Sequence, residues 1–299
     1  SNPSLFKKIY PFSLRPQGKE IVRTWLYYTL LRGYLETKEP AFKDVWIHQH
    51  ILDEKGRKMS KSLGNIIDPL EIINNEGAEA LRLWSVIEGD ISKGDLTCSR
   101  ERIKAETKTI TKLLNIAKFV LQFNKPKKVE ATETDKVFLE LLDYHTKKAE
   151  WSYDHYDFHK PIINFRNFLW EELASHYIEL VKARTYNENK KFSKKESDAA
   201  KHTLYTMLER LVTVMHPIIP QVTTIIAKEL KIDLANFPKI EKKRFDDIYL
   251  VPKIIDFNSQ IWKTKKELGK SLREPLNKVN IPLELRRFES DLISCHNLQ

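Results

Sequence analysis

The residues with the clearest chemical potential lie in one short segment, Lys58-Met59-Ser60-Lys61-Ser62, which has glycines at positions 56 and 64 on either side. Two lysines three positions apart can bring two ammonium groups, each with three hydrogen-bond donors, onto one polyphosphate. The glycines would let such a loop close over a ligand and reopen. Taken alone, a lysine- and serine-rich loop is more often an exposed surface segment. The segment therefore predicts a phosphate clamp only if its surroundings support one.

The elements around this loop predict an α/β unit. Apolar residues spaced for one face predict a helix with a buried face over residues 18–34. β-branched and aromatic residues predict a strand from a buried sheet over residues 45–52. After the loop, Asp68 can accept from the first free amides of a helix, Pro69 suits its first position, and Glu71 can complete a capping box.

Long amphipathic helices are predicted from about residue 102 onward. Apolar residues fall on one face over 103–120, again over 162–180, and again over 204–215. The third helix should end at His216-Pro217, and Pro220 should open a short apolar helix. This pattern predicts a helical bundle.

The composition favours a basic, globular protein that binds polyanions. A formal net charge of +10 and a pI near 9.3 make nucleic acid the first partner to consider. Lysines are dense in the connections 125–128 and 190–195, which we interpret as solvated loops, and a basic helix is predicted over 261–272. Cys98 and Cys295 are too far apart in sequence to suggest a disulfide framework or a paired-cysteine metal site. A reducing cytoplasm fits this usage, and no apolar run is long enough to span a bilayer.

The motif context of the lysine segment resembles a known family. The run from Ile51-Leu52-Asp53 through the lysine segment to Gly77-Ala78-Glu79-Ala80-Leu81-Arg82 resembles the second signature of class I aminoacyl-tRNA synthetases and its following helix. Leu14-Arg15-Pro16-Gln17-Gly18, with Glu20 and Arg23-Thr24-Trp25, resembles the valyl members, especially archaeal ones. Phe168-Leu169-Trp170-Glu171-Glu172 and His176-Tyr177-Ile178-Glu179 resemble the central helix of the anticodon-binding bundle in the valyl, isoleucyl and leucyl group.

The resemblance implies a reaction and a set of site residues. It implies ATP-dependent activation of valine and transfer of the acyl group to tRNA(Val), with Mg²⁺ accompanying ATP as substrate and no metal site in this chain. Cations beside the departing pyrophosphate would stabilise the transition state, and we expect Lys61 to contribute most and Lys58 second. Trp25 would be either a wall of the amino-acid pocket or a core residue. The remaining implied ATP contacts are Ser60, Ser62, Gly18 and Glu20.

The implied architecture is α/β plus all-α. Residues 1–52 would form the second half of a Rossmann catalytic domain, 53–101 the lysine-loop and stem-contact segment, 102–238 the helical anticodon-binding domain, and 239–299 a basic extension. The extension should pack back on the bundle or touch tRNA. Candidate tRNA contacts on polar faces or helix ends are Arg100, Arg102, Lys182 and Arg184.

Some features depart from the family pattern. Its His-x-Gly-His signature occurs nowhere in the 299 residues, and the editing domain is absent, so we expect the chain alone to be inactive without an N-terminal catalytic half. Lys19 stands where relatives usually have His, and Gln49 stands where a glycine is common. The start, Ser1-Asn2-Pro3, suggests a truncated chain. Two alternatives stay open, namely an isoleucyl enzyme and a non-catalytic tRNA-binding half or paralogue.

Overall fold

The computed structural model describes residues 2–242 and 244–299 and consists of an α/β part followed by a helical bundle. This order confirms the predicted fold class. A short 3₁₀ turn and a π-helical turn, Lys19–Ile21 and Val22–Leu26, join the first strand to the second helix. The elements of the α/β part are α1 (Pro3–Ile9), β1 (Phe12–Gly18), α2 (Tyr27–Thr37), β2 (Phe42–His48), β3 (Ile51–Leu52), α3 (Pro69–Glu76), α4 (Ala78–Glu88) and β4 (Leu96–Thr97).

Two small parallel sheets carry the segment that leads into the lysine loop. β1 pairs with β2 in register from Phe12 opposite Phe42 to Gly18 opposite His48. β3 pairs with β4 through Ile51 and Leu96. The single strand predicted over 45–52 is therefore two strands, because β2 ends before Gln49 and the chain changes partner there.

The helix predicted over 18–34 is present, but its predicted apolar face is only partly buried. Leu26 is buried and Leu30 is half-buried, whereas Ile21 and Trp25 are exposed. Trp25 is 43% exposed, which contradicts its interpretation as a core residue. The guanidinium of Arg15 lies 3.8 Å from the centroid of its ring, an arrangement typical of a cation–π contact. The helix thus presents apolar and aromatic side chains on the surface.

The bundle contains the main hydrophobic core, and the predicted apolar faces lie in it. Ile162, Phe165, Leu173 and Tyr177 are all buried, which confirms the face predicted over 162–180. A π-helical segment, Phe168–Tyr177, joins the two α-helices of this region. The elements of this part are α5 (Arg100–Leu121), α6 (Glu133–Asp154), α7 (His159–Asn167), α8 (Ile178–Tyr186), α9 (Lys194–Met215), α10 (Pro220–Leu230), α11 (Leu250–Glu267), a 3₁₀ helix (Leu283–Phe288) and α12 (Glu289–His296).

The start of α3 confirms two of the three predicted capping features. Asp68 accepts a hydrogen bond from the amide of Leu70 at 2.9 Å, and Pro69 occupies the first helical position. Glu71 does not complete a capping box. Its carboxylate instead accepts two hydrogen bonds from Arg100, at 2.7 and 3.0 Å, which tie α3 to the first bundle helix.

Helix α4 is joined to the bundle by two charged side chains on one face. Glu79 accepts from the amides of Gln221 and Val222 in the first turn of α10, at 2.5 and 3.0 Å. Arg82 donates to the carbonyls of Pro217 and Ile218 just after α9, at 3.0 and 2.6 Å. A carboxylate at a helix N-terminus and a cation beyond a helix C-terminus both complement the helix dipoles. The lysine-loop segment is therefore connected to the bundle through specific hydrogen bonds.

The C-terminal segment packs back on the bundle, as predicted. Its basic helix begins at Leu250 and ends at Glu267, so the predicted range of 261–272 was placed too late. Lys265 is buried, and its ammonium group donates to the carbonyls of Leu272 and His296, at 2.8 and 2.6 Å, which compensates for the loss of water. One lysine of the predicted basic helix therefore links α11 to α12 inside the fold.

A buried histidine in this segment gives a pH-dependent prediction. Nε2 of His296 lies 2.7 Å from Oδ1 of Asn258, and burial, followed by the charge of Lys265, lowers the pKa of His296 to about 4. An unfolded histidine titrates near 6.5, so protonation favours unfolding. We expect the free energy of unfolding to fall as pH drops from about 6.5 towards 4, by up to about 3 kcal/mol from this residue. Urea unfolding at pH 7 and pH 5 should show a smaller difference for His296→Gln, and equal differences would contradict the prediction.

Candidate functional site

Asp53 organises the beginning of the lysine loop. Its Oδ1 accepts from the backbone amides of Lys55 and Arg57, at 3.0 and 2.8 Å, and its Oδ2 accepts from Nε of Arg57 at 2.9 Å. Asp53 is 5% exposed, and hydrogen bonds from the Asn65 side chain and the Arg57 amide lower the pKa of its carboxyl group strongly. The carboxylate is therefore ionised at neutral pH and holds the turn through which the chain enters the loop.

Asn65 closes the other end of the loop onto the same carboxylate. Its Nδ2 donates to Oδ2 of Asp53 at 2.9 Å and to the carbonyl of Lys58 at 3.1 Å, while its Oδ1 accepts from the amide of Ser60 at 3.0 Å. Gly56 and Gly64 have φ values of 72° and 61°, where a side chain is disfavoured. The loop is thus held at both ends.

The loop lies beside the residues that follow β1. The ammonium group of Lys58 is 3.9 Å from Oε1 of Glu20, and His50 also pairs with that carboxylate. Lys19 pairs with Asp95 at 2.5 Å, and Asp95 accepts from the backbone amide of His50 at 3.0 Å. The structure therefore brings together Lys58 and Glu20, two of the predicted site residues from distant parts of the sequence.

Of the remaining predicted loop residues, Lys61 and Ser62 are exposed and Ser60 is half-buried. Lys61 has no ion pair within the described residues, and the hydroxyls of Ser60 and Ser62 are 3.1 Å apart. Gly18 ends β1 with an ordinary extended backbone. Gln49 points its amide at the carbonyl of Ile91, 3.4 Å away. A free ammonium group and hydroxyl donors on a braced loop can bind the oxygens of a polyphosphate.

A second surface, on the bundle, combines aromatic rings with lysines. Phe119, Phe123 and Tyr186 form a cluster in which ring centroids lie 5.2 to 6.2 Å apart in edge-to-face arrangements. Tyr186 is 43% exposed, and its hydroxyl accepts a hydrogen bond from the side-chain Nε2 of Gln122 at 3.1 Å. We call Phe119, Phe123 and Tyr186 the aromatic cluster.

Lysines surround the aromatic cluster. A groove of about 630 Å³ beside it is lined by Lys125, Lys127, Lys194 and Lys201, and the ammonium group of Lys201 lies 5.8 Å from the centroid of the Phe123 ring. In the described part of the chain, Lys127, Lys194 and Lys201 form no ion pairs. An exposed tyrosine ring backed by two half-buried phenylalanines and flanked by unpaired cations suits single-stranded RNA, whose bases stack while the cations contact phosphates. The lysine-rich connections 125–128 and 190–195, which we interpreted as solvated loops, thus border a surface suited to RNA.

The four predicted tRNA contacts occupy different environments. Arg100 and Arg102 lie in the first turn of α5 and pair with Glu71 and Glu88, whereas Lys182 is exposed and pairs with Glu179. Their contact with RNA stays a prediction.

The placement of Arg184 on a polar face is wrong. Arg184 is 1% exposed because it is enclosed between Asp135 of α6 and Asp291 of α12. It cannot reach a ligand on the surface, so it is not an RNA contact.

Comparison with known protein families matches both parts of the chain. Residues 1–97 match the model described as tRNA synthetases class I (I, L, M and V), and residues 135–281 match the anticodon-binding domain of tRNA ligase. The valine–tRNA ligase of Aeropyrum pernix is 37% identical over 95% of this chain, that of Nanoarchaeum equitans 36% over 96%, and that of Pyrobaculum aerophilum 38% over 94%. The chain spans only 36 to 37% of the length of these relatives.

Solved structures with much lower sequence identity share the fold. A leucyl-tRNA synthetase of Agrobacterium radiobacter, solved in a ternary complex with tRNA and LeuAMS, superposes with a TM-score of 0.62 at 18% identity and covers 80% of this chain and 31% of its own. The methionyl-tRNA synthetase of Mycobacterium tuberculosis, solved with methionyl-adenylate, also gives 0.62, at 19% identity over 82% of this chain and 52% of its own. No helix in the described ranges is both long and apolar enough to cross a membrane.

Proposed function

Because the chain belongs to the valine–tRNA ligase family of class I tRNA synthetases, we propose that it supplies the lysine loop and the RNA-binding bundle of such an enzyme. The observation that carries this proposal is the lysine loop, which Asp53 and Asn65 brace at both ends and which places Lys58 beside Glu20. A loop held in this way is suited to binding a charged, flexible phosphate ligand. A loop with a passive surface role would not require such bracing.

In the proposed reaction, valine attacks the α-phosphorus of ATP and pyrophosphate leaves. Lys61 and Lys58 stabilise the charge that develops on the pyrophosphate, and Ser60 and Ser62 add hydroxyl donors. Gly18 and Glu20 contact the adenylate, and Trp25 forms a wall of the amino-acid pocket. Mg²⁺ enters with ATP. The acyl group then passes to tRNA(Val), which residues 102–238 bind.

The apolar surface around α2 is the proposed docking face for the rest of the catalytic domain. Phe12, Tyr28, Leu31 and Leu35 are all at least 44% exposed, although residues of these types are usually buried. An exposed apolar patch of this kind marks an interaction site. The relatives are almost three times as long as this chain, so they have further residues that could cover it. We expect no adenylate formation by the chain alone, because it lacks the His-x-Gly-His signature.

Binding of tRNA transcripts tests the proposal. We expect the chain to prefer a transcript with a valine anticodon over one with an isoleucine anticodon across a salt series, and Lys61→Ala to leave this preference unchanged because the loop lies outside the bundle. Equal and steeply salt-dependent binding of both transcripts would reduce the interaction to a basic surface and contradict the proposed specificity.

Tyr186→Ala is the matching test of the aromatic cluster. Base stacking on an aromatic ring contributes about 1–3 kcal/mol, so we expect the affinity for the valine transcript to fall roughly 5- to 150-fold. Tyr186→Phe keeps the ring and should stay close to the original affinity. Tyr249→Ala removes another tyrosine with similar exposure, 55%, and serves as the control. If Tyr186→Ala and Tyr249→Ala bind alike, the cluster does not stack bases.

A further inference from the structure

A cavity of about 830 Å³ opens between α8 and the C-terminal segment. One wall is formed by Glu179 and Tyr186 of α8, and the opposite wall includes Trp262 of α11 and Ser294 and Cys295 of α12. Because Tyr186 also belongs to the aromatic cluster, the cavity adjoins the surface that we propose for RNA. Its volume is in the range of sites that enclose small molecules.

The wall formed by α12 is firmly held. Asp291 accepts from Nε of the buried Arg184 at 3.0 Å, and the carbonyl of His296 accepts from the buried Lys265 at 2.6 Å. Asp291 and His296, which accept these hydrogen bonds, lie on either side of Ser294 and Cys295 along α12. Burial raises the pKa of the Cys295 thiol to about 12, so the thiol stays neutral and acts as part of the wall. The cavity is thus a fixed feature of the fold and not a gap beside a loose terminus.

The chemistry of the lining matches a nucleotide. Tyr186 and Trp262, one face of which stacks on His176, offer aromatic rings. Glu179 pairs with Lys182, and its carboxylate has further lone pairs that can accept from an exocyclic amino group. Arg273 and Lys191 are exposed, and neither forms an ion pair within the described residues, so their charges are available for phosphates. A purely apolar ligand would leave these two cations unused.

We propose that this cavity holds one unstacked nucleotide of the bound RNA loop, so that α12 forms part of the RNA-binding surface. The proposal deepens the proposed function and rests on it. It also extends the surface beyond the family's anticodon-binding domain, because that match ends at residue 281 and Ser294 and Cys295 lie after it. The nucleotide's base lies between α8 and α12, and its phosphate contacts Arg273.

The test uses the full chain and an RNA stem-loop with the valine anticodon, carrying 2-aminopurine at one loop position at a time. We expect one position to change its fluorescence on saturation with the unmodified chain. Ser294→Trp fills the cavity and should abolish that signal while weakening affinity about 5- to 50-fold, and Arg273→Ala should weaken it similarly. Arg286→Ala removes an exposed arginine of the same segment that lies outside the cavity, so its affinity should change by no more than about twofold.

The outcomes separate the two proposals. If Tyr186→Ala weakens binding but Ser294→Trp and Arg273→Ala behave like Arg286→Ala, the cavity holds no nucleotide and the proposed RNA-binding function stands. If the unmodified chain shows no binding that depends on the loop sequence, the proposed function fails and the cavity proposal fails with it. Should Ser294→Trp disturb folding, which circular dichroism would reveal, Arg273→Ala still decides the question because its side chain is exposed.

Discussion

Arg184→Ala is expected to lower the free energy of unfolding by about 3–5 kcal/mol, because it leaves buried carboxylates without their cation. Nη1 and Nη2 of Arg184 donate to the two oxygens of Asp135 at 2.9 and 2.7 Å, and Nε donates to Asp291 at 3.0 Å. The Tyr177 hydroxyl donates to Asp135 at 2.6 Å in the same network. This ion network joins α6, α8 and α12, so its loss should also loosen the C-terminal segment.

Urea unfolding at pH 7 measures this effect, with Arg286→Ala as the control for loss of an exposed arginine. Arg286→Ala should change the free energy of unfolding by less than about 0.5 kcal/mol. The double substitution Arg184→Ala with Asp291→Ala should cost less than the sum of the two single losses, because the second change removes a charge that the first leaves unpaired. A loss below about 1 kcal/mol for Arg184→Ala, or additive losses, would mean that the network contributes little.

The error over Arg184 shows what local sequence cannot specify. Lys182, two positions earlier, is charged and exposed, so the local sequence is compatible with a solvated arginine. Its environment is set by Asp135 and Asp291, which lie 49 and 107 positions away. An arginine becomes internal only when such partners compensate the cost of desolvating its charge. Helix positions could be predicted from periodicity, whereas this pairing could not.

The lysine loop was predictable from its motif, but its bracing was not. Residue types and spacing predict that Lys58 and Lys61 bind phosphate. Asp53 and Asn65 were visible as residues of the same run, yet nothing in their spacing indicates that one carboxylate and one amide hold both ends of the loop. The signal that could have found them is their type, since Asp and Asn commonly hydrogen-bond to nearby backbone amides in turns.

The α/β part was the least predictable region. Strand β1 was missed because Pro16 lies inside it, and proline normally argues against a paired strand. The apolar face that includes Ile21, Trp25 and Leu26 was predicted to be buried because apolar periodicity usually faces a core. In this chain Leu26 is buried but Ile21 and Trp25 are exposed, as expected for a surface that another part of a longer enzyme would cover. Periodicity therefore identified an apolar face correctly but could not identify its partner.

Lys61→Ala is expected to reduce adenylate formation by about 10²- to 10³-fold when the chain is joined to the N-terminal catalytic half that we propose for its enzyme. This magnitude is typical for loss of one group that stabilises charge in a transition state. Lys58→Ala should cost less, because Lys58 lies 3.9 Å from Glu20, whose carboxylate offsets part of its charge. Valine-dependent exchange of pyrophosphate into ATP measures the reaction.

Lys55→Ala provides the matched control, since Lys55 is an exposed lysine of the same loop that forms no ion pair within the described residues. We expect the exchange rate of Lys55→Ala to stay within about threefold of the original, because its charge lies outside the phosphate clamp. If all three lysine variants lose activity equally, the loop acts only through its overall positive charge. If only Lys61→Ala and Lys58→Ala lose activity, and tRNA binding stays unchanged in both, the two lysines act on the departing pyrophosphate and not on the RNA.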